Sequence, residues 1–161
     1  PCTIGMFKWK ATSTGGTVSS AACDSSSAIT QNIMNTATTR TIEIGECVTG
    51  ITNDSLSGFT KLETVSVGDN VRTIGQRAFH TDTALTTVTI GTGITSIGSW
   101  AFVNCKYLTN LTIKAISPPT IGSALFTNVN NFTIYVPATS VDTYKSASGW
   151  SNYASRIQAI P

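Results

Sequence analysis

Apolar residues recur along this chain with a fixed spacing of 23. Ile42, Val65, Val88, Leu111 and Ile134 are each 23 apart, and Ile44, Val67, Ile90, Ile113 and Val136 repeat the spacing two residues later. Val48, Val71 and Ile94 make a third column, and Ile51, Ile74 and Ile97 a fourth. Leu56, Phe79 and Phe102 make a fifth, and Leu62, Leu85 and Leu108 a sixth. A coil of 23 residues cannot enclose its own apolar side chains, whereas stacked coils bury them as continuous ladders. No helical period of about 3.6 residues survives through a whole repeat, so the coils are built from strands and turns.

The pairs 42/44, 65/67, 88/90, 111/113 and 134/136 alternate with Thr, Ser, Glu, Asn or Tyr, the pattern of a half-buried strand. Gly45, Gly68 and Gly91 follow at once, and are expected to turn the chain through conformations that other residues resist. A β-branched pair three apart, such as Val71 and Ile74, reads as a second short extended side, followed by a compact Ala-Phe turn. The expected fold is therefore mainly β, a solenoid of stacked 23-residue coils.

The fourth repeat slips. Ser117 and Thr120 stand where apolar residues are expected, Ile116, Ile121, Phe126 and Phe132 lie one residue away, and Pro118-Pro119 sits in the slip. Towards the N-terminus the pattern fades: Ala28 precedes Ile51 by 23, so residues 17–40 read as a worn first coil behind a strand and turn over 1–16. After Pro137, Thr139 or Ser140 can cap a helix that closes at Gly149. The expected organisation is one structural domain. Residues 1–40 form an N-terminal β cap with a degenerate coil, 41–137 a solenoid of about four repeats, and 138–161 a short helical C-terminal cap.

Composition excludes several functions. Charged residues are only 11% of the chain and apolar ones 40%, which argues for a packed core rather than disorder. A net charge of +2 without a basic run gives no footing for a nucleic-acid partner. No stretch approaches the roughly 18 apolar residues of a membrane span. The chain opens on Pro1 without a leader, and reads as a mature or excised fragment whose localisation signal is missing.

The phrases "RTIGQRAFHTDTALTTVTIG" and "TSIGSWAFVNCKYLTNLTI" resemble the BspA-type leucine-rich repeat, a 23-residue I-G-x-x-A-F-x-x-C-x-x-L-x-x-[IV]-x-[IV]-P-like unit. The match is close from Ile42 to Ile113 and continues through "SPPTIGSALFTNVNNFTIYVP" into the tail. It departs at Gly68 and Gly91, where the family often has Pro, and at Asp82, where it often has the Cys seen at Cys105. The resemblance implies a right-handed leucine-rich-repeat-like solenoid from a surface-exposed or secreted bacterial protein. Such proteins are often adhesins binding host proteins or other cells, and similar repeats occur in phage-associated proteins.

Chemistry finds no foothold. His80 is the only histidine; with Asp82 it makes an imaginable dyad, but no nucleophile accompanies it, and it reads as a surface residue at a variable position. One His and four scattered Cys show no metal-ligand spacing. The expectation is no enzyme, no cofactor and no metal. Cys2, Cys23, Cys47 and Cys105 allow three complete pairings. Cys23 and Cys47 lie 24 apart, about one repeat, and coils stacked about 4.8 Å apart bring such a pair within disulfide reach. Either a Cys23–Cys47 bridge staples the first two coils, in the oxidising location the resemblance implies, or the two are buried thiols. Cys105 reads as structural packing.

What remains is surface. The strand residues flanking the buried columns are expected to face outward as a strip: Glu43, Ser66, Thr87, Thr89, Asn110, Thr112 and Tyr135, with Thr41 and Thr133 beside them. Thr suits exposed strand positions without any function, and an extended sheet is equally the usual binding face of a solenoid. The functional expectation is a monomeric, surface-displayed adhesion module that binds protein or glycan on a host or neighbouring cell through this strip. The alternative is a structural spacer or phage tail-associated module that presents other domains.

Overall fold

The computed structural model describes residues 9–13, 16–20, 28–29, 39–45 and 48–161. Among these residues twelve strands precede a short helical stretch and one closing strand: β1 (Trp9–Ser13), β2 (Gly16–Ser20), β3 (Ala28–Ile29), β4 (Thr39–Ile44), β5 (Gly50–Ile51), β6 (Thr64–Val67), β7 (Thr73–Ile74), β8 (Thr87–Ile90), β9 (Ser96–Ile97), β10 (Asn110–Ile113), β11 (Thr120–Ile121), β12 (Thr133–Val136), α1 (Val141–Ser146) and β13 (Ile157–Ala159).

They form two sheets. The larger runs β13-β12-β10-β8-β6-β4-β1-β2 and the smaller β11-β9-β7-β5-β3. The repeat explains the topology. Each coil supplies one strand to each sheet and returns in the same direction, so pairing between coils is parallel. Ile42 pairs with Val65, Val65 with Val88, Val88 with Leu111, Leu111 with Ile134 and Ile134 with Ile157. The columns point inward and join one continuous core. The expected β solenoid is the observed fold.

The Ala-Phe turn adds a third ladder of backbone hydrogen bonds. Alternate N–H groups donate to the next coil: Asp54 to the Gln76 carbonyl at 2.9 Å, Leu56 to Ala78 at 3.0 Å and Gly58 to His80 at 3.0 Å. Arg77, Phe79 and Thr81 donate likewise to Ser99, Ala101 and Val103. This alternation places Asp54, Arg77 and Trp100 at φ 57°, 54° and 58°, and Thr81 and Asn104 at 63° and 62°. Non-glycine residues are held there because the ladder offsets a local cost of about 1–2 kcal/mol each.

The expectation for the strand-end glycines is corrected. Neither Gly68 nor Gly91 has positive φ; among the described glycines only Gly58 and Gly149 do. A Cβ on Gly68 would lie 2.7 Å from the Ile44 carbonyl oxygen, and one on Gly91 2.6 Å from Asp69 Oδ1. These glycines permit close stacking of coils rather than an unusual turn.

The slip is resolved in part as expected. Ile97 pairs with Ile121, 24 residues on, and Phe126, Val129 and Phe132 are buried. Ile116, however, is 71% exposed; the extra residue is accommodated between Ile113 and Thr120, where Ile116 and Ser117 face solvent and Pro119 is buried. The frame returns at Thr133, which pairs with Asn110 23 residues earlier.

At the N-terminal end β1 pairs antiparallel with both β2 and β4, so residues 17–20, expected in a worn coil, lie in a hairpin. Ile29 rather than Ala28 pairs with Ile51. At the C-terminal end the helix is shorter than expected. It spans six residues, Ser140 at its N-cap makes no side-chain cap bond, and Trp150–Arg156 forms a 3-10 segment instead. The tail clamps the rerouted coil: the Tyr144 hydroxyl donates to the Ala115 carbonyl at 2.9 Å and Trp150 Nε1 to the Pro119 carbonyl at 2.7 Å.

Candidate functional site

All seven strip residues lie on the larger sheet, in two adjacent rows. Glu43, Ser66, Thr89, Thr112 and Tyr135 stand rung by rung in register. Thr87 and Asn110 belong to the neighbouring row, with Thr41, Thr64 and Thr133. Each is exposed or half-buried, while the residues between them are buried. Tyr135 does not end the strip: Gln158 of β13, not among the expected residues, pairs with it and is exposed. On the far side Glu43 stands in register with Lys10 of β1.

The threonines fall into two groups. Those at the corners of the coils are engaged: Thr86 and Thr109 Oγ1 donate to the carbonyls of Glu63 and Thr86 at 2.9 and 3.1 Å. Thr95 and Thr120 do the same to Arg72 and Thr95, at 2.9 and 3.3 Å. Each donates to a backbone carbonyl of the coil before its own, so their hydroxyls belong to the scaffold. Among the described residues, none takes a hydrogen bond from the hydroxyls of Thr64, Thr87, Thr89, Thr112 and Thr133. With strands about 4.8 Å apart, the row from Glu43 to Gln158 offers a polar edge about 24 Å long.

The opposite side is different in kind. Between β5, β7 and β9 and the following turn lies a shallow groove of about 550 Å³, lined by Thr73, Asn53, Gln76, Ser96 and Ser99 over Gly75 and Gly98. Its polar groups are partly committed to the scaffold, since Asn53 Oδ1 accepts the Gln76 N–H at 2.8 Å and Ser99 Oγ the Ser123 N–H at 3.0 Å.

His80 and Asp82 do not form a dyad. Asp82 is fully buried and accepts the Phe59 N–H at 2.8 Å through Oδ1. Burial pushes its carboxyl up to about 9, against the pull of the Phe59 and Gly58 N–H groups. Cys105 is a free, buried thiol that donates to the Phe79 carbonyl at 3.0 Å. Burial, and then the neighbouring Asp82, push it upward too. Cys2, Cys23 and Cys47 lie outside the described residues, and the Cys23–Cys47 bridge with them. Among the described residues no cluster of His, Cys, Asp or Glu could hold a metal, and no helix is long and apolar enough to cross a membrane.

A solenoid of stacked strands with an open polar sheet face defines a repeat scaffold of the interaction class. The sequence matches the model of the BspA type leucine rich repeat region in six copies over residues 23–150, and the chain belongs to that family. A search of curated proteins gives no match. Among solved structures, a leucine-rich repeat protein from Bacteroides capillosus aligns with a TM-score of 0.47 and 17% identity, over 83% of this chain and 96% of that one. Leucine-rich repeats of this family are generally non-enzymatic interaction scaffolds, associated in bacteria with the cell surface.

Proposed function

We propose that this chain is a surface-displayed adhesion module that takes an extended polar partner, a protein segment or glycan chain of a host or neighbouring cell, across the outer face of the larger sheet. The observation that carries the reading is the division among the threonines. Corner hydroxyls are bonded within the scaffold, whereas no described residue bonds those of Thr64, Thr87, Thr89, Thr112 and Thr133, which are open to solvent or to a ligand.

The face dictates the kind of partner. From β4 to β13 the only charge in the two rows is Glu43, with Lys10 of β1 in register beyond it, so a polyanion meets no row of cations. A flat row suits a chain laid across several rungs better than a small metabolite, which needs an enclosing pocket. Tyr135 supplies the aromatic anchor that binding hot spots favour, with Gln158 beside it.

A printed array of glycans and matrix proteins tests the reading. Tyr135→Ala and the pair Thr89→Lys/Thr112→Lys should each abolish capture of whatever the native protein binds, with melting unchanged. His80→Ala and Gln76→Ala, on the turn and in the opposite groove, should leave capture intact. Capture lost from the groove or turn variants alone would move the site to that side, and no capture by the native protein would favour the spacer.

A further inference from the structure

One buried group is not explained by packing or by the binding face. Phe59, Asp82, Cys105 and Val129 occupy equivalent places in four successive coils, and all are buried. Three of them are neutral. The fourth is a carboxyl whose Oδ1 accepts the Phe59 N–H from the coil before, while Oδ2 is enclosed and has no hydrogen-bond partner among the described residues.

We infer that Asp82 is a proton-operated latch between two coils: protonated, it rests in the core and holds the preceding turn, and ionised, it forces that turn open, so that the solenoid tightens as its surroundings acidify. A carboxylate taken out of water without a cation is strongly disfavoured against the neutral acid. Among the described residues, the groups that face this one supply no cation. From the coil before come the backbone N–H groups of Phe59 and Gly58, and from the coil after comes the Cys105 thiol. Neither ion pair among the described residues, Arg40–Glu63 or Arg77–Asp54, includes it. The only histidine, His80, shares its turn and holds that turn by its backbone carbonyl, which accepts the Gly58 N–H.

The sign follows from the two states. In the open chain the carboxyl titrates near 3.9, and in the closed coil it does so near 9. Stabilisation by the bound proton is therefore complete below the lower value. It is lost progressively as pH rises towards the upper one, by up to about tenfold in the opening equilibrium per pH unit.

Amide exchange of Gly58 and Phe59, corrected for the intrinsic base-catalysed rate, reads this opening between pH 5 and 9. In the native protein their protection should fall by up to about tenfold per unit. In Asp82→Asn, which keeps the acceptor oxygen without a charge, it should stay flat. Asp82→Cys, which copies Cys105, should be flat as well and serves if the amide variant folds poorly. His80→Gln should retain the native slope. The inference is overturned if the native protein shows the same profile as both uncharged variants, or if His80→Gln removes the slope.

Discussion

Phe79 and Phe102 stack with ring centroids 5.3 Å apart and planes 4° from parallel, one coil above the other. Phe126 continues the stack at 5.7 Å, and Tyr153 closes it edge-on at 5.1 Å. Phe102 thus has an aromatic neighbour on both sides and no route by which its site can collapse. Phe102→Ala should cost about 3–5 kcal/mol in equilibrium urea unfolding. A loss below about 1 kcal/mol would mean that the coils are not packed through this column.

The two kinds of threonine can be told apart by deleting single hydroxyls. Thr86→Val removes the bond to the Glu63 carbonyl and should cost about 0.5–1.5 kcal/mol. Thr87→Val, one residue on but facing outward, should stay within about 0.5 kcal/mol of the native protein. Equal costs at both positions would remove the distinction on which the binding face rests.

Close stacking predicts which glycines resist change. A Cβ on Gly98 would lie 2.5 Å from the Gln76 nitrogen, and Gly98→Ala should cost about 1–3 kcal/mol by pushing two coils apart. Gly58 has open space around its Cα but φ +80°, so Gly58→Ala should cost about 1 kcal/mol, through backbone strain alone. Thermal unfolding of the two variants, ranked the other way, would contradict this account.

The C-terminal clamp makes a prediction about coupling. Trp150→Phe removes the bond to the buried Pro119 carbonyl and Tyr144→Phe the bond to Ala115, each at about 1–3 kcal/mol. Both hold the same rerouted loop, and their rings pack edge to face at 5.4 Å. The double variant should therefore lose less than the sum, which a double-mutant cycle measures. Strict additivity would show that the two bonds act independently.

The columns of the fold were legible because burial repeats, and each repetition of Val65, Val88 and Leu111 restates the same constraint. The closing strand carries the same signal, since Ile157 lies 23 after Ile134, but one apolar residue in a tail with helix-capping residues does not distinguish a strand from a helix end. Asp82 is legible as a departure in the column it shares with Cys105, but the sequence does not show that its carboxyl is buried without a cation beside the Phe59 N–H. The roles of Gly68 and Gly91 were out of reach, since close approach between coils depends on backbone distances that no pattern of residue types records. The face itself was readable from alternation, but which hydroxyls the scaffold consumes follows only from the corner geometry of Thr86 and Thr109.

Parallel pairing in both sheets has a mechanical meaning. The bonds between coils lie along the direction in which the coils are stacked, and a pull on the two ends of the stack passes in series through every junction. Such a body does not resist as a block. It yields where a junction is weakest and then pays out one coil after another, each releasing a 23-residue length of chain. A load directed along the strands instead strains a whole row of bonds together and meets far stiffer resistance. The same molecule is thus a brittle rod in one direction and an extensible tether in the other, according to how it is held.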